Sequence, residues 1–126
     1  MEHKTNIAVW FEIPSTDFDR AVSFYQSIFE VELENFDMAE LRMGLFPHNN
    51  KAEVSGAVIH GEGFKPSSDG CIVYLNGGAD LAVVLSKVEA AGGKVLLPKI
   101  HLSDEIGYIA HFMDTEGNRL GIHSML

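Results

Sequence analysis

Cysteine, basic residues and long apolar runs are all scarce in this chain of 126 residues. Cys71 is the single cysteine, which excludes an intrachain disulfide and any zinc or iron–sulfur site built from thiolates of one chain. A metal site would therefore need histidine and carboxylate ligands. No apolar stretch reaches bilayer-spanning length, and the N-terminus lacks the basic segment and apolar run of a signal peptide. These absences predict a cytoplasmic protein.

Positive charge is in short supply as well. Nine Lys and Arg residues stand against 18 Asp and Glu residues, which gives a net charge of −9. Such a field repels phosphate polymers and anionic lipid surfaces, so we expect no nucleic-acid or membrane partner and a small organic molecule instead. The hydrophobic content of 46% is typical of a folded globular chain, and the length suits a single domain over residues 1–126.

The first half of the chain has the pattern of a βαβββ unit. Polar and apolar residues alternate over residues 5–13, which predicts a strand whose Ile7, Val9 and Phe11 pack against the following helix. Asp17 or Thr16 is a suitable N-cap for that helix. Further strands are predicted at residues 32–36, 39–46 and 53–60, each bounded by turn-forming residues.

The second half repeats this order after a Gly-, Pro- and Ser-rich connector. The predicted elements are a strand at residues 71–76, a helix capped by Asp80 and ended by Gly92 and Gly93, and strands at 94–97, 100–103, 108–113 and 119–124. Asp114, Gly117 and Asn118 are expected to shape the last hairpin turn.

The two predicted helices match each other residue by residue. A shift of 80 − 17 = 63 positions places Asp80 on Asp17, and it superimposes the apolar faces of the helices. The modules, residues 1–62 and 70–126, are each too small to bury a core alone. We therefore predict an α+β fold in which two βαβββ modules share a cavity.

Two motifs make the chain resemble a known family. Residues 11–25 read FEIPSTDFDRAVSFY, and residues 112–123 read FMDTEGNRLGIH. Both resemble segments of the vicinal oxygen chelate superfamily, which includes glyoxalase I, bleomycin-resistance proteins and extradiol dioxygenases. The resemblance implies an eight-stranded, half-open barrel of paired βαβββ modules, with the helices outside and a substrate cavity inside.

The resemblance also implies where a metal would bind in metal-dependent relatives. Four ligands, mostly His and Glu, would fall on Trp10, on Ala57 or Val58, on Cys71 and on Gly121. None of these residues is His or Glu, and together they offer too few donors for a divalent ion. We therefore expect no cofactor, and a small-molecule-binding protein of the glyoxalase and bleomycin-resistance type that has lost the usual ligand set.

Glu12 and His123 are the candidate catalytic residues. Glu12 is two positions from Trp10 and so shares its face of the first strand, where it is either a base or ligand anchor, or a carboxylate that reaches solvent or an arginine. His123 is two positions after Gly121 on the last strand, on the cavity side.

Trp10, Cys71, His60 and His111 are the candidate substrate-binding residues. Trp10 either stacks on a planar ligand or closes the cavity, and packing in the core is favoured over reactivity for Cys71. The histidines are either ligand contacts or hydrogen-bonded structural residues.

An enzymatic alternative stays open. A divalent ion relocated to Glu12, His123 and either His60 or His111 would support a lyase or isomerase of the glyoxalase I type, or a relative of the dioxygenases. The exposed edges of a half-open sheet assembly also predict a homodimer.

Overall fold

The structure is a computed structural model that describes residues 7–48 and 55–126. Within these ranges the chain forms a βαβββ unit twice. The first unit contains β1 (Trp10–Pro14), α1 (Phe18–Phe29), β2 (Glu34–Met38), β3 (Leu41–Leu45) and β4 (Ser55–His60). The second contains β5 (Tyr74–Asn76), α2 (Leu81–Leu85), β6 (Lys94–Ser103), β7 (Gly107–Met113) and β8 (Arg119–Ser124). None of the described helices is long and apolar enough to cross a membrane.

The strands have the same order in both units. One sheet runs β1-β4-β3-β2 and the other runs β5-β8-β7-β6. In each unit the first strand pairs in parallel with the last, and the remaining pairs are antiparallel. The predicted α+β fold of two βαβββ modules is therefore confirmed. The eight described strands lie in two separate four-stranded sheets, and no closed barrel forms among them.

Both predicted helix caps are present. The Asp17 carboxylate accepts a hydrogen bond from the Arg20 backbone N–H at 3.1 Å, and the Asp80 carboxylate accepts one from the Ala82 N–H at 2.9 Å. The helix faces that match in the sequence are buried in both modules: Phe18, Ala21 and Tyr25 in the first, and Leu81, Val84 and Val88 in the second.

The second helix is shorter than the sequence predicts. Regular α-helix ends at Leu85, and the Lys87 and Val88 N–H groups bond to carbonyls only three residues back. The Ser86 hydroxyl donates to the Val83 carbonyl at 2.7 Å and thus competes with the backbone for that acceptor. Val88 is still fully buried, so the apolar face continues through these tighter turns.

Several predicted strand limits are wrong. β1 begins at Trp10, which pairs with Ser55, and Ile7 and Val9 are 95% and 54% exposed instead of packing on α1. The predicted strand at 71–76 shortens to β5, and the strands predicted at 94–97 and 100–103 are one strand, β6, with register shifts. Residues 5–6 and 53–54 lie outside the described ranges.

The larger of two core clusters among the described residues contains side chains of both modules. Phe24 of α1 packs against Phe112 of β7 with ring centroids 6.0 Å apart, and Tyr25 meets Phe46 edge-on at 5.7 Å. Ile13 and Ile122 belong to the same cluster although they come from different sheets. Each module therefore completes its core with side chains of the other.

The β7–β8 turn of the second module binds the start of α1 in the first. Glu116 Oε1 accepts hydrogen bonds from the N–H groups of Thr16 at 2.9 Å and Asp17 at 2.7 Å, and Oε2 accepts one from Arg20 Nε at 2.8 Å. The Glu116 side chain is fully buried. Its negative charge thus satisfies donors at a helix N-terminus, where the helix dipole favours an anion.

Asp114 and Asn118 extend this contact. Asp114 Oδ1 accepts from the N–H groups of Glu116 and Asn118, which confirms the predicted turn, and Gly117 adopts a φ of +93°. The other carboxylate oxygen accepts from the buried Tyr25 hydroxyl at 2.7 Å. Asn118 Nδ2 donates to the Pro14 carbonyl at 2.7 Å, so the turn also fixes the end of β1.

The Glu116 contact predicts an acid-sensitive fold. Burial alone would raise the pKa of the Glu116 carboxyl, but the hydrogen bonds that Arg20, Asp17, Thr115 and Thr16 donate outweigh it and hold that pKa below its ordinary value. Its stabilising effect is therefore fully present above the unfolded-state pKa, about 4.3, and is lost as pH falls through the lower folded-state value.

We expect Glu116→Gln to lower the free energy of unfolding by about 1.5–3 kcal/mol at pH 7, because a charged acceptor is removed. The difference from the unsubstituted chain should narrow below about pH 4. Urea denaturation between pH 3 and 7 measures both quantities, with Glu105→Gln, at an exposed turn, as the control. A difference that stays constant over this pH range would contradict the assignment.

Candidate functional site

A cavity of about 940 Å³ lies between β1 and β5, where the two modules meet. Its wall is mostly apolar. The larger apolar side chains around it are Trp10, Phe11, Phe29, Val31, Phe46, Ile72, Leu75 and Val84. Ser55, Tyr74 and Asn76 add polar groups, and no charged side chain of the described residues lines it. Volume and lining are typical of small-molecule sites, which are concave, largely apolar and carry a few polar groups.

Trp10 forms part of the cavity wall. Its side chain lies on the face of β1 opposite the core residue Ile13, and 44% of the residue is exposed. The indole therefore borders open space and does not close the cavity. Phe11, on the other face of β1, lines the cavity as well, and the exposed indole of Trp10 offers a flat aromatic surface for a ligand to stack on.

Tyr74 crosses the neighbouring strand β8 at Gly121. A Cβ atom at residue 121 would overlap the Tyr74 ring, so only glycine leaves room for it. The ring thereby reaches β7, where the Tyr74 hydroxyl is 2.6 Å from His111 Nε2. The volume at Gly121, one of the four positions where the family resemblance would place a metal ligand, is therefore taken by an aromatic ring.

His111 is held between Tyr74 and Arg119. Arg119 Nε donates to His111 Nδ1 at 3.0 Å, and His111 is only 7% exposed. Burial first, and the nearby Arg119 charge second, lower the pKa of His111. The imidazole is therefore neutral near pH 7.

His60 and His123 lie in different surroundings. His60 Nδ1 is 2.9 Å from the Ser15 carbonyl oxygen, which makes it a hydrogen-bonded structural residue at the end of β4. His123 Nε2 contacts the Ile106 carbonyl oxygen, and the side chain lines a smaller cavity of about 450 Å³ together with Tyr74 and Asn76. This second cavity shares the Tyr74–Asn76 strand with the first.

Glu12 and Cys71 meet in a third, small cleft of about 160 Å³, which Lys65 and Arg119 also line. Cys71 is exposed, so the prediction that it packs in the core is wrong. It precedes β5 in the connector after Gly70 and is thus outside the sheet that would bury it. Glu12 is exposed as well, and it avoids the desolvation cost expected of an inward carboxylate.

The residues considered for a relocated metal do not assemble in this chain. Glu12 and His123 line different cavities, while Nδ1 of His60 and both ring nitrogens of His111 have hydrogen-bond partners elsewhere. Over residues 7–48 and 55–126, no group of three or more His, Cys, Asp or Glu side chains is placed to hold a metal ion. The donor set therefore does not fit the divalent ion that the fold family implies.

The exposure of Glu12 has a measurable consequence. Replacing a solvent-exposed carboxylate has little effect on stability. Glu12→Gln should therefore change the free energy of unfolding by no more than about 0.5 kcal/mol. Thermal denaturation beside Glu62→Gln, another exposed glutamate, provides the comparison. A clear stabilisation by Glu12→Gln alone would show that its carboxylate is buried without a partner.

Comparison with known proteins gives matches among solved structures only. No protein-family model matches the chain, and no curated protein does. Glyoxalase I from Zea mays superimposes with a TM-score of 0.69 at 17% identity, over 93% of this chain and 45% of the maize chain. The chain thus spans a little under half of that enzyme.

Two further structures match along most of their own length. A glyoxalase/bleomycin resistance protein/dioxygenase family enzyme from Burkholderia phytofirmans PsJN has a TM-score of 0.65 at 13% identity, covering 94% of this chain and 98% of its own. Glyoxalase I from Leishmania major has a TM-score of 0.66 at 12% identity, with coverages of 96% and 88%. At these identities the likeness establishes the fold, so the predicted resemblance is confirmed at that level and function has to be argued from the site.

Proposed function

We propose that this protein binds a small, planar, mainly apolar organic molecule in the cavity between β1 and β5, without a metal ion. The observation that carries the proposal is the cavity itself, whose size and apolar wall suit such a ligand. Trp10 and Phe46 offer aromatic surfaces, and Ser55, Tyr74 and Asn76 offer the few polar groups that orient a bound molecule.

Binding without turnover is consistent with the fold and with the donor set. Solved structures of this fold include proteins described as belonging to glyoxalase/bleomycin resistance families as well as enzymes. The described part of the chain assembles no metal-ligating group, and none of its charged side chains lines the cavity wall. We therefore favour sequestration of the ligand over its conversion.

A second candidate is catalysis in the cleft of Glu12. A carboxylate, the Cys71 thiol and the Arg119 guanidinium border the same small space, a combination able to hold a polar group and move a proton.

A metal-dependent lyase or isomerase would in addition require ligands not assembled in the described chain. Near-stoichiometric Zn, Ni, Mn or Fe in protein purified without chelator or histidine tag would overturn the metal-independent proposal.

Trp10 makes ligand binding directly observable, because it is the one tryptophan of the sequence and it lines the cavity. We expect prodan, a neutral naphthyl ketone, to quench Trp10 fluorescence in a saturable manner. Ile72→Glu should weaken binding at least tenfold, because it puts a charge into an uncharged apolar wall.

Ile106→Glu is the matched control for Ile72→Glu. Ile106 is also an exposed isoleucine, but it lies outside the cavity wall. Its substitution should leave the prodan affinity unchanged within about twofold. Quenching that does not saturate, or that both variants weaken equally, would contradict binding in this cavity.

We also propose that the protein is a homodimer. Phe36 and Met38 are 50% and 53% exposed on β2, the edge strand of the first sheet, and such apolar edges are usually covered. Light scattering at micromolar concentration should give about twice the 13.9 kDa mass of one chain. The double variant Phe36→Ser, Met38→Lys should shift it towards the monomer, and a monomeric unsubstituted protein would refute the proposal.

A further inference from the structure

The edge of β5 that faces away from β8 has no partner among the described strands. β5 pairs with β8 alone, and it is the outermost strand in the sheet order β5-β8-β7-β6. A strand at the edge of a sheet presents backbone N–H and C=O groups that no neighbouring strand bonds. A ligand that covers such groups excludes water from them, so the edge favours a ligand that offers hydrogen bonds in return.

The hydrogen bonds to β8 show which backbone groups lie on the open edge. The Val73 carbonyl accepts from the Gly121 N–H at 2.9 Å, and the Gly77 N–H donates to the His123 carbonyl at 2.7 Å. Across a trans peptide bond, the C=O of one residue points opposite to the N–H of the next, so the Asn76 C=O points away from β8. The register, with Asn76 opposite His123, directs the Asn76 N–H to the same side as its C=O.

The cavity of 940 Å³ follows this open edge. Every residue from 72 to 78 lines it. Side chains of successive strand residues point to opposite faces, so a cavity that touches all of these residues borders the edge of the strand. The Tyr74 ring does not cover this edge, because it lies across β8 on the other side. The N–H and C=O of Asn76 therefore lie at the cavity wall.

The wall beyond Asn76 carries no side chain. Gly77 and Gly78 follow Asn76 and line the same cavity, and a Cβ atom added at Gly78 would meet nothing within 4 Å beyond its chain neighbours. The Asn76 side chain is turned towards this backbone, since its Oδ1 accepts from the Gly78 N–H at 2.9 Å. Glycine in such a place lets a ligand approach the backbone closely.

The pair of groups on Asn76 defines the chemistry of a matching ligand. In an antiparallel sheet, two residues of a hydrogen-bonded pair exchange two bonds, each donating its N–H to the C=O of the other. A planar molecule whose own N–H and C=O are adjacent can make the same two bonds with one residue. A hydrocarbon of the same shape would leave both Asn76 groups without partners, which is unfavourable.

We infer that the open edge of β5 is the polar recognition element of the cavity, and that the backbone N–H and C=O of Asn76 bind a planar lactam or similar cyclic amide through two hydrogen bonds. This inference rests on the proposed binding function and names its ligand class. Backbone groups in a strand are fixed before the ligand arrives, which lowers the entropic cost of binding.

Two isomers of equal size test the ligand class. 6-Methyl-2-quinolone is a planar lactam with its N–H intact, whereas 1-methyl-2-quinolone keeps the rings and the carbonyl but has no N–H. We expect the 6-methyl isomer to bind about tenfold more tightly, because it alone donates to the Asn76 carbonyl. Ligand-observed NMR and calorimetry measure both affinities.

A pair of substitutions at residue 76 tests the backbone N–H. Asn76→Pro removes this N–H, and at the open edge proline breaks no bond of the sheet. Asn76→Ala removes the same side chain but keeps the N–H. We expect Asn76→Pro to bind 6-methyl-2-quinolone about tenfold more weakly than Asn76→Ala does.

Amide hydrogen exchange tests the edge without a ligand and without any substitution. In the unliganded protein, the Asn76 amide should exchange at least about tenfold faster than the Leu75 amide, which the register directs to β8. Addition of 6-methyl-2-quinolone should slow exchange at Asn76 and move its amide proton resonance, because the N–H then has an acceptor.

The outcomes separate the ligand class from the proposed binding function. If prodan binds and neither quinolone does, the cavity is a binding site but the lactam class is wrong. If prodan does not bind either, the proposed function fails as well. Equal affinities of the two isomers, or of Asn76→Pro and Asn76→Ala, would show that the β5 edge does not select the ligand. An Asn76 amide as protected as that of Leu75 in the unliganded protein would show that the edge is already paired, which overturns the inference.

Discussion

The buried Glu116 carboxylate is the contact on which the relative placement of the two modules depends. It belongs to the second module, but its hydrogen-bond donors belong mainly to the start of α1 in the first. With Asn118 bound to the Pro14 carbonyl, the same turn fixes the end of β1. The end of β1, one of the two strands that border the cavity, is thereby bound to the second module.

Features that depend on neighbours in sequence were predictable. The caps Asp17 and Asp80 and the buried faces behind them follow from local residue types, and their repetition indicated two modules. Strand limits depend on a distant partner as well. Ile7 and Val9 alternate like a strand but are exposed ahead of β1, and Cys71 is apolar in character yet precedes β5. Alternation alone could not predict either outcome.

The candidate site residues also divide into those whose placement follows from local sequence and those whose placement depends on distant partners. Strand alternation assigns Trp10 to the face of β1 opposite Ile13, and Trp10 is one of the residues that line the cavity. Glu12, His123, His60 and His111 looked combinable in sequence, but sheet register and hydrogen bonding direct them to separate places. The contact of Tyr74 with His111 was not predicted, because it requires a glycine, Gly121, on another strand. The pairing of Tyr74 with Gly121 in parallel strands was the one signal available, and it becomes visible only once the register is known.

A side chain at residue 121 and the Tyr74 ring would occupy the same volume, which glycine leaves to the ring. The Tyr74 ring lies where any side chain on residue 121 would project, so an acidic residue at this position would displace the ring from His111. A lineage with this fold can therefore keep a metal-ligating carboxylate on β8 or a tyrosine across it, but a single substitution cannot add one without sacrificing the other.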